Sequence, residues 1–270
     1  WWAAEKVEKK IPLVIGQHGG HFGMNLYAFH EEHQIKIADL WLSWGWSDIY
    51  RRQIHPLGNV KLMDSKSVNY NPKGGALMVE CGFPRYSCHL YSTPVSSQFL
   101  NYLEDQKRFL KLLPESLRNK VTLRLFPRNY GWDEKLRWED DMPEIDIDLG
   151  VKNIRKLINK SRLYISTYNA TTYLESFTWN IPTIIFWNPK YWELNEQAKP
   201  YFELLKSVEI FHETPLSAAK HMIKIWNDVD SWWLSDPVQN AKNIFCNQYA
   251  RNPENSLILL KNILKETKSS

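Results

Sequence analysis

Cysteine is scarce in this chain: Cys81, Cys88 and Cys246 are the three among 270 residues. An odd count without CxxC spacing makes neither a disulfide framework nor a zinc ribbon, and it points to a reducing, cytoplasmic setting. Long apolar runs are missing as well, and none reaches the length that spans a bilayer. The start shows no signal-peptide pattern. Charge of one sign is nowhere concentrated. The net charge is +4, with no block of five like charges, so a nucleic-acid or polybasic membrane partner has no support. GxGxxG, the P-loop and HExxH are all absent, and no dinucleotide, ATP or zincin chemistry follows.

Tryptophan is plentiful instead, with 13 residues. Indoles serve cores where the N–H finds a partner, and sugar sites use them as apolar platforms. The chain opens on Trp1-Trp2 rather than Met and reads as entering a strand at once. The expectation is a piece of a longer protein whose N-terminal part lies outside it.

Near-continuous apolar runs at 11–15, 40–44, 76–81, 121–126, 162–166 and 183–187 read as strands covered on both faces. Amphipathic stretches at 97–113, 151–158 and 171–179 read as helices between them. Strand and helix in alternation predict an α/β fold with a parallel sheet and crossover helices. The polar, turn-rich stretch 64–75 is the best boundary. It divides a first α/β unit (1–72) from a second (73–235), with terminal helices over 236–270 broken at Asp236-Pro237 and Asn252-Pro253. The acidic stretch 139–148 reads as a solvated loop.

Three stretches carry chemistry. The first is Gly16-Gln17-His18-Gly19-Gly20-His21-Phe22-Gly23, directly after a strand. A glycine-rich turn there lets a ligand approach the backbone, and His18 at its apex could act as a general base. A tight turn with a hydrogen-bonded histidine is the equally simple alternative. His18, His21, His30 and His33 lie close in sequence, but no clear third ligand completes a metal site. The second stretch runs over 161–188. A strand ends in the polar turn Thr167-Tyr168-Asn169, and Thr171-Thr172 open a helix. A helix start at a strand's carboxyl end attracts phosphate. Thr172 and Glu175 have capping-box spacing, and Glu175 could instead bind ribose hydroxyls. The third is Arg124 and Arg128 at the end of a strand, where guanidinium groups could neutralise a phosphate or simply pair on the surface.

Read together, several motifs resemble one known family. They are Gln17-His18-Gly19-Gly20-x-x-Gly23, Ala38-Asp39-x-x-Leu42-Ser43-Trp44-Gly45-Trp46, Tyr168-Asn169-x-Thr171-Thr172-x-Leu174-Glu175 and Asn180-Ile181-Pro182-Thr183-Ile184. Ser161-Arg162-Leu163, Trp187-Asn188, Trp192-Glu193, His212-Glu213-Thr214-Pro215 and Trp232-Trp233 fit too. The family comprises transferases of bacterial O-antigen and surface-polysaccharide loci, of spirochaete type. It is more distantly similar to capsule Kdo transferases and to CDP-glycerol glycerophosphotransferases, which share an HG turn and a T-x-x-E helix.

The resemblance implies a GT-B glycosyltransferase fold, two Rossmann-like domains facing a cleft, with terminal helices packing back across it. Residues 1–72 would be the remnant of a truncated acceptor-side domain and 73–235 the donor-binding domain. The implied reaction moves a sugar from a nucleotide-activated donor to a glycan acceptor, free or lipid-linked, in the cytoplasm or at the cytoplasmic face of the inner membrane. His18 would be the base. Asn169, Thr171, Thr172, Arg124 and Arg128 would hold the donor phosphate, Glu175 the ribose, and Gln17, Gly19, Gly20, Tyr168 and Asn188 would lie near the substrate. No cofactor or metal is expected, and the chain alone is expected to be inactive. A glycerophosphate or polyol-phosphate transferase, a nucleotide-sugar epimerase and a non-catalytic glycan-binding protein remain as alternatives.

Overall fold

The computed structural model describes residues 1–62, 67–87 and 91–269; Cys88 and the opening of the turn-rich stretch at Asp64 lie outside them. The chain begins with helix α1 (Trp2–Glu8), not with a strand. Then come β1 (Val14–Gly16), α2 (Phe29–Ile37), β2 (Leu40–Ser43) and β3 (Ile54–Pro56), and a 3-10 turn over Val60–Leu62. The three strands form a parallel sheet in the order β1-β2-β3.

The second unit starts with β4 (Gly75–Val79), α3 (Gln98–Leu112), α4 (Glu115–Arg118), β5 (Val121–Arg124), α5 (Glu134–Asp141) and β6 (Asp146–Asp148). It continues with α6 (Ile154–Ile158), β7 (Ser161–Ser166), α7 (Thr171–Thr178), β8 (Thr183–Phe186), α8 (Lys199–Ser207) and β9 (Phe211–His212). Helices α9 (Pro215–Ile225), α10 (Val229–Trp233), α11 (Asp236–Tyr249) and α12 (Ser256–Ser269) complete the chain. The six strands are all parallel, in the order β6-β5-β4-β7-β8-β9. The chain therefore winds outward from β4 to β6, returns beside β4 as β7, and winds outward again. The direction reverses between β4 and β7. In open α/β sheets the crevice outside the carboxyl ends of such a pair is the usual ligand site.

Apolar runs become central strands because both faces are covered. In β4, Ala76 and Met78 pack into one core with Leu123, Leu163, Ile165 and Phe186. Leu77 and Val79 pack into the other with Tyr164, Leu174, Phe177 and Ile185. Many tryptophans serve these cores: Trp41, Trp44, Trp138, Trp192 and Trp233 are fully buried. Several indole N–H groups find acceptors, such as Trp44 on the Gln17 carbonyl (3.0 Å) and Trp233 on that of Asn180 (3.1 Å).

The strands that sequence patterning misses are β3, β6 and β9, each two or three residues long at a sheet margin. The stretch over 139–148 is not a loop: it ends α5 and then forms edge strand β6. Asp146 accepts from the Thr122 hydroxyl (2.7 Å), and Asp148 is ion-paired with Arg124. The break expected at Asp236-Pro237 is the first turn of α11, where proline's missing N–H costs nothing. Pro253 does stand between α11 and α12.

The chain returns to the first sheet after α11. The Arg251 amide donates to the Trp44 carbonyl (2.9 Å), and the Arg251 carbonyl accepts from the Asn59 amide (2.7 Å). Helix α12 then shares a groove with Trp2, Ile11 and Val14. Among the described residues, no helix is long and apolar enough to cross a membrane.

Candidate active site

The crevice between β4 and β7 holds a cavity of about 310 Å³. Cys81, Gly82 and Phe83 follow β4 and form one wall; Tyr168, Asn169 and Ala170 follow β7 and form the opposite one. Phe126, Tyr91 and Trp192 add aromatic surface, and His21 enters from the turn after β1. Aromatic walls with a few polar groups are usual for small-molecule sites. Helix α7 starts at this cavity. Ala170 takes its cap position, and no side chain caps it. The first N–H groups of a helix without a side-chain cap, with the dipole behind them, suit an anion.

The turn after β1 is arranged differently from the expectation. His18 is exposed, with its ring edge-on to Phe22 at 4.9 Å between centroids. His21 is the histidine that reaches the cavity. Burial, then the neighbouring His18 and His30, push its imidazole down to about 4, so it is neutral near pH 7. Gln17 is buried. Its side-chain oxygen accepts from the Trp44 amide (2.9 Å) and the Trp46 indole (2.9 Å), and its amide group donates to the Gly19 carbonyl (2.8 Å). Gln17 therefore braces the turn, with its side-chain oxygen turned to the two tryptophans. A side chain at Gly19 would meet the His21 ring. Gly20 lacks a side chain because a neighbouring helix, not a ligand, comes close. A Cβ there would lie 2.6 Å from the Thr171 Cα and N. Its amide donates to the Thr171 hydroxyl (3.0 Å).

On the α7 side, Thr172 and Glu175 form no capping box. The Thr172 hydroxyl donates to the Tyr168 hydroxyl (3.0 Å), and Ala170 rather than Thr172 is the cap residue. Burial raises the Tyr168 phenol well above its ordinary range. Asn169 is buried, bonded to Asn25 of the first unit (2.9 Å) and to the Tyr173 hydroxyl (2.9 Å). Glu175 is buried and ion-paired at 2.5 Å with Lys61, from the 3-10 turn of the first unit. Asn188 closes a small turn by accepting from the Lys190 amide (3.0 Å). Arg124 turns to its own unit: Asp148 and the carbonyls of Lys152 (2.9 Å) and Gly150 (2.9 Å) take three of its five donors. Arg128 is exposed in a neighbouring cavity with Asn129, Asp133 and Glu134, and Phe126 lines both cavities.

Sequence reading missed four contributors. His21 lay in the same turn as His18, three residues on. Glu31, in the His-Glu-Glu-His stretch, holds that turn by accepting from the Gly23 amide (2.6 Å), and burial pushes its carboxyl up to about 7. Trp192 is a wall of the cavity, and its indole N–H meets no acceptor among the described residues. Lys61 gave no signal, since its partner Glu175 is 114 residues away. The His212-Glu213-Thr214-Pro215 motif is structural: Thr214 caps α9 through the Ser217 amide (3.2 Å), and His212 bonds the Glu209 carbonyl (2.9 Å). Among the described residues, no group of three His, Cys, Asp or Glu side chains suits a metal ion.

Two parallel α/β units thus meet over a crevice, with a histidine-bearing turn from one set against a helix start in the other. The chain belongs to the LIC12162 family of transferases, whose family model matches residues 1–264. No curated protein matches it. Among solved structures it is similar to the wall teichoic acid polymerase TagF at 13% identity and a TM-score of 0.46, over 96% of this chain and 69% of that one. It is also similar to WaaG, a glycosyltransferase involved in lipopolysaccharide biosynthesis, at 12% identity and a TM-score of 0.42, over 99% of this chain and 72% of that one.

Proposed function

We propose that this family member is a GT-B glycosyltransferase that moves a sugar from a nucleotide-activated donor to a glycan hydroxyl in surface-polymer synthesis. The observation that carries the proposal is the start of α7, without a side-chain cap, at the aromatic cavity where the sheet order reverses, facing the histidine turn. The donor phosphate sits against the first amides of α7, near Thr171 and Thr172. Fixed dipoles there stabilise the leaving nucleotide, and no metal takes part. Glu175 binds the ribose hydroxyls. The sugar lies against the aromatic walls, with His21 as a neutral polar contact. His18, exposed at the turn, removes the acceptor's proton. The donor and acceptor meet in the cytoplasm or at the inner face of the membrane.

The test is transfer by the full-length protein and its His18→Gln variant, with a panel of labelled nucleotide sugars and CDP-glycerol. Loss of at least ~100-fold in turnover with nucleotide binding intact is expected for the base. An unaltered rate would remove His18 from that role. Label passing from CDP-glycerol alone would make the enzyme a glycerophosphate transferase on the same phosphate-binding geometry.

A further inference from the structure

Lys61 is the one group of the first unit that forms an ion pair with α7 among the described residues. Its ammonium lies 2.5 Å from a Glu175 oxygen, and its side chain is 60% exposed whereas that of Glu175 is 7% exposed. Helical side chains tilt toward the helix N-terminus. Glu175 stands four residues into α7 from Thr171, so its carboxylate lies over the first turn of the helix. Thr171 and Glu175 share one face of α7, so the ion pair stands one helical turn along that face from the contact of Thr171 with Gly20. The cation expected for a phosphate there, Arg124, is already taken by Asp148 and two carbonyls. Trp192 lines the cavity at that helix start, and its buried indole N–H has no acceptor among the described residues.

We propose that the Lys61–Glu175 pair is exchanged for ligand: Glu175 passes to the hydroxyls of a ribose, and Lys61 passes to the phosphate beside the start of α7. The inference rests on the donor reading above and adds the phosphate-binding cation, supplied by the opposite unit. The exchange suits a ligand that carries both groups. A nucleoside breaks the pair and returns nothing to Lys61, whereas a nucleoside diphosphate satisfies both partners. Removing Lys61 therefore has opposite effects on the two. It costs the diphosphate a charge-assisted contact and frees Glu175 for the nucleoside.

The experiment is calorimetric titration of the chain and its Lys61→Met and Lys61→Arg variants with UDP, CDP and GDP and with the matching nucleosides. For the nucleotide that binds, Lys61→Met is expected to weaken diphosphate binding about tenfold and to flatten its salt dependence. Nucleoside binding should hold or tighten, and Lys61→Arg should restore most of the diphosphate affinity. Unchanged or tighter diphosphate binding by a folded Lys61→Met chain would overturn the inference while leaving the donor reading intact. Equal weakening of nucleoside and diphosphate would also overturn it, because a merely structural pair predicts that. Failure of the unaltered chain to bind any nucleotide would remove the donor reading and this inference with it.

Discussion

Replacing Gly20 with alanine would measure how firmly the two units are held at the site. The new methyl group would meet the Thr171 Cα and N at 2.6 Å and the Ala170 carbonyl carbon at 2.7 Å. All three are backbone atoms of a helix start, and no rotamer change can relieve them. Ordinary contact begins at 3.4 Å, so one segment must withdraw by about 1 Å. The withdrawal also stretches the bond from the Gly20 amide to the Thr171 hydroxyl. Overpacking costs about 1–3 kcal/mol, and a lost hydrogen bond adds about 1 kcal/mol. The expected destabilisation is about 2–4 kcal/mol, and at about 2–4 °C per kcal/mol for a chain near this size the midpoint should fall by roughly 4–16 °C. Gly16→Ala supplies the control. That glycine is exposed, and a Cβ there meets nothing within 4 Å, so its effect should stay within about 1 kcal/mol of zero. The assay is urea and thermal unfolding followed by tryptophan fluorescence. A Gly20→Ala chain as stable as the parent, or a Gly16→Ala chain equally weakened, would refute the packing account.

Two other outcomes follow from buried charge. Glu80 is buried beside Trp138, whose indole N–H it accepts (2.9 Å), and burial pushes its carboxyl up to about 8. The folded chain holds this proton after the unfolded chain has released it, so the stability tied to it is lost as pH rises from the ordinary carboxylate range through about 8. Glu80→Gln should flatten that decline and be more stable than the parent near pH ~9; urea titrations across this range that coincide for both chains would refute the claim. Arg124→Met should destabilise by about 3 kcal/mol, the lower end for breaking a buried pair, because Lys152 stands 3.9 Å from the abandoned Asp148. Nucleotide affinity of the folded variant should not change, and a selective loss of affinity would return Arg124 to the phosphate.

The fold was legible where burial is two-sided. Runs such as 76–79 and 183–186 announce central strands because every residue is buried. Short marginal strands do not: β6 reads Asp-Ile-Asp, and its acidic side chains are explained only by Thr122 and Arg124 across the ladder. The opening residues misread for a related reason, since the two tryptophans of 1–2 are exposed rather than cored. At the site, the loops were legible and the orientations were not. Strand ends and helix starts marked Gly19, Gly20, Tyr168 and Thr171. Whether a polar group faces a ligand or its own neighbour depends on distant partners. Gln17 turns to Trp44 and Trp46, Asn169 to Asn25, and Arg124 to Asp148. No local pattern encodes such choices.

The return of the chain after α11 has a mechanical consequence. A single tether between two bodies leaves three rotations free. Here the polypeptide passes between the sheets twice, once after Leu62 and again after Tyr249, and the second passage is fastened to the first unit on both sides of Arg251. The turn after β1 adds a third fastening, through the backbone bridges Asn25–Leu194 and Ala28–Tyr91, and three fastenings out of line leave no free swing, as a tripod does not rock. Opening between Gly20 and Thr171 would then also part Lys61 from Glu175, because both contacts lie on the face of α7 turned toward the first unit.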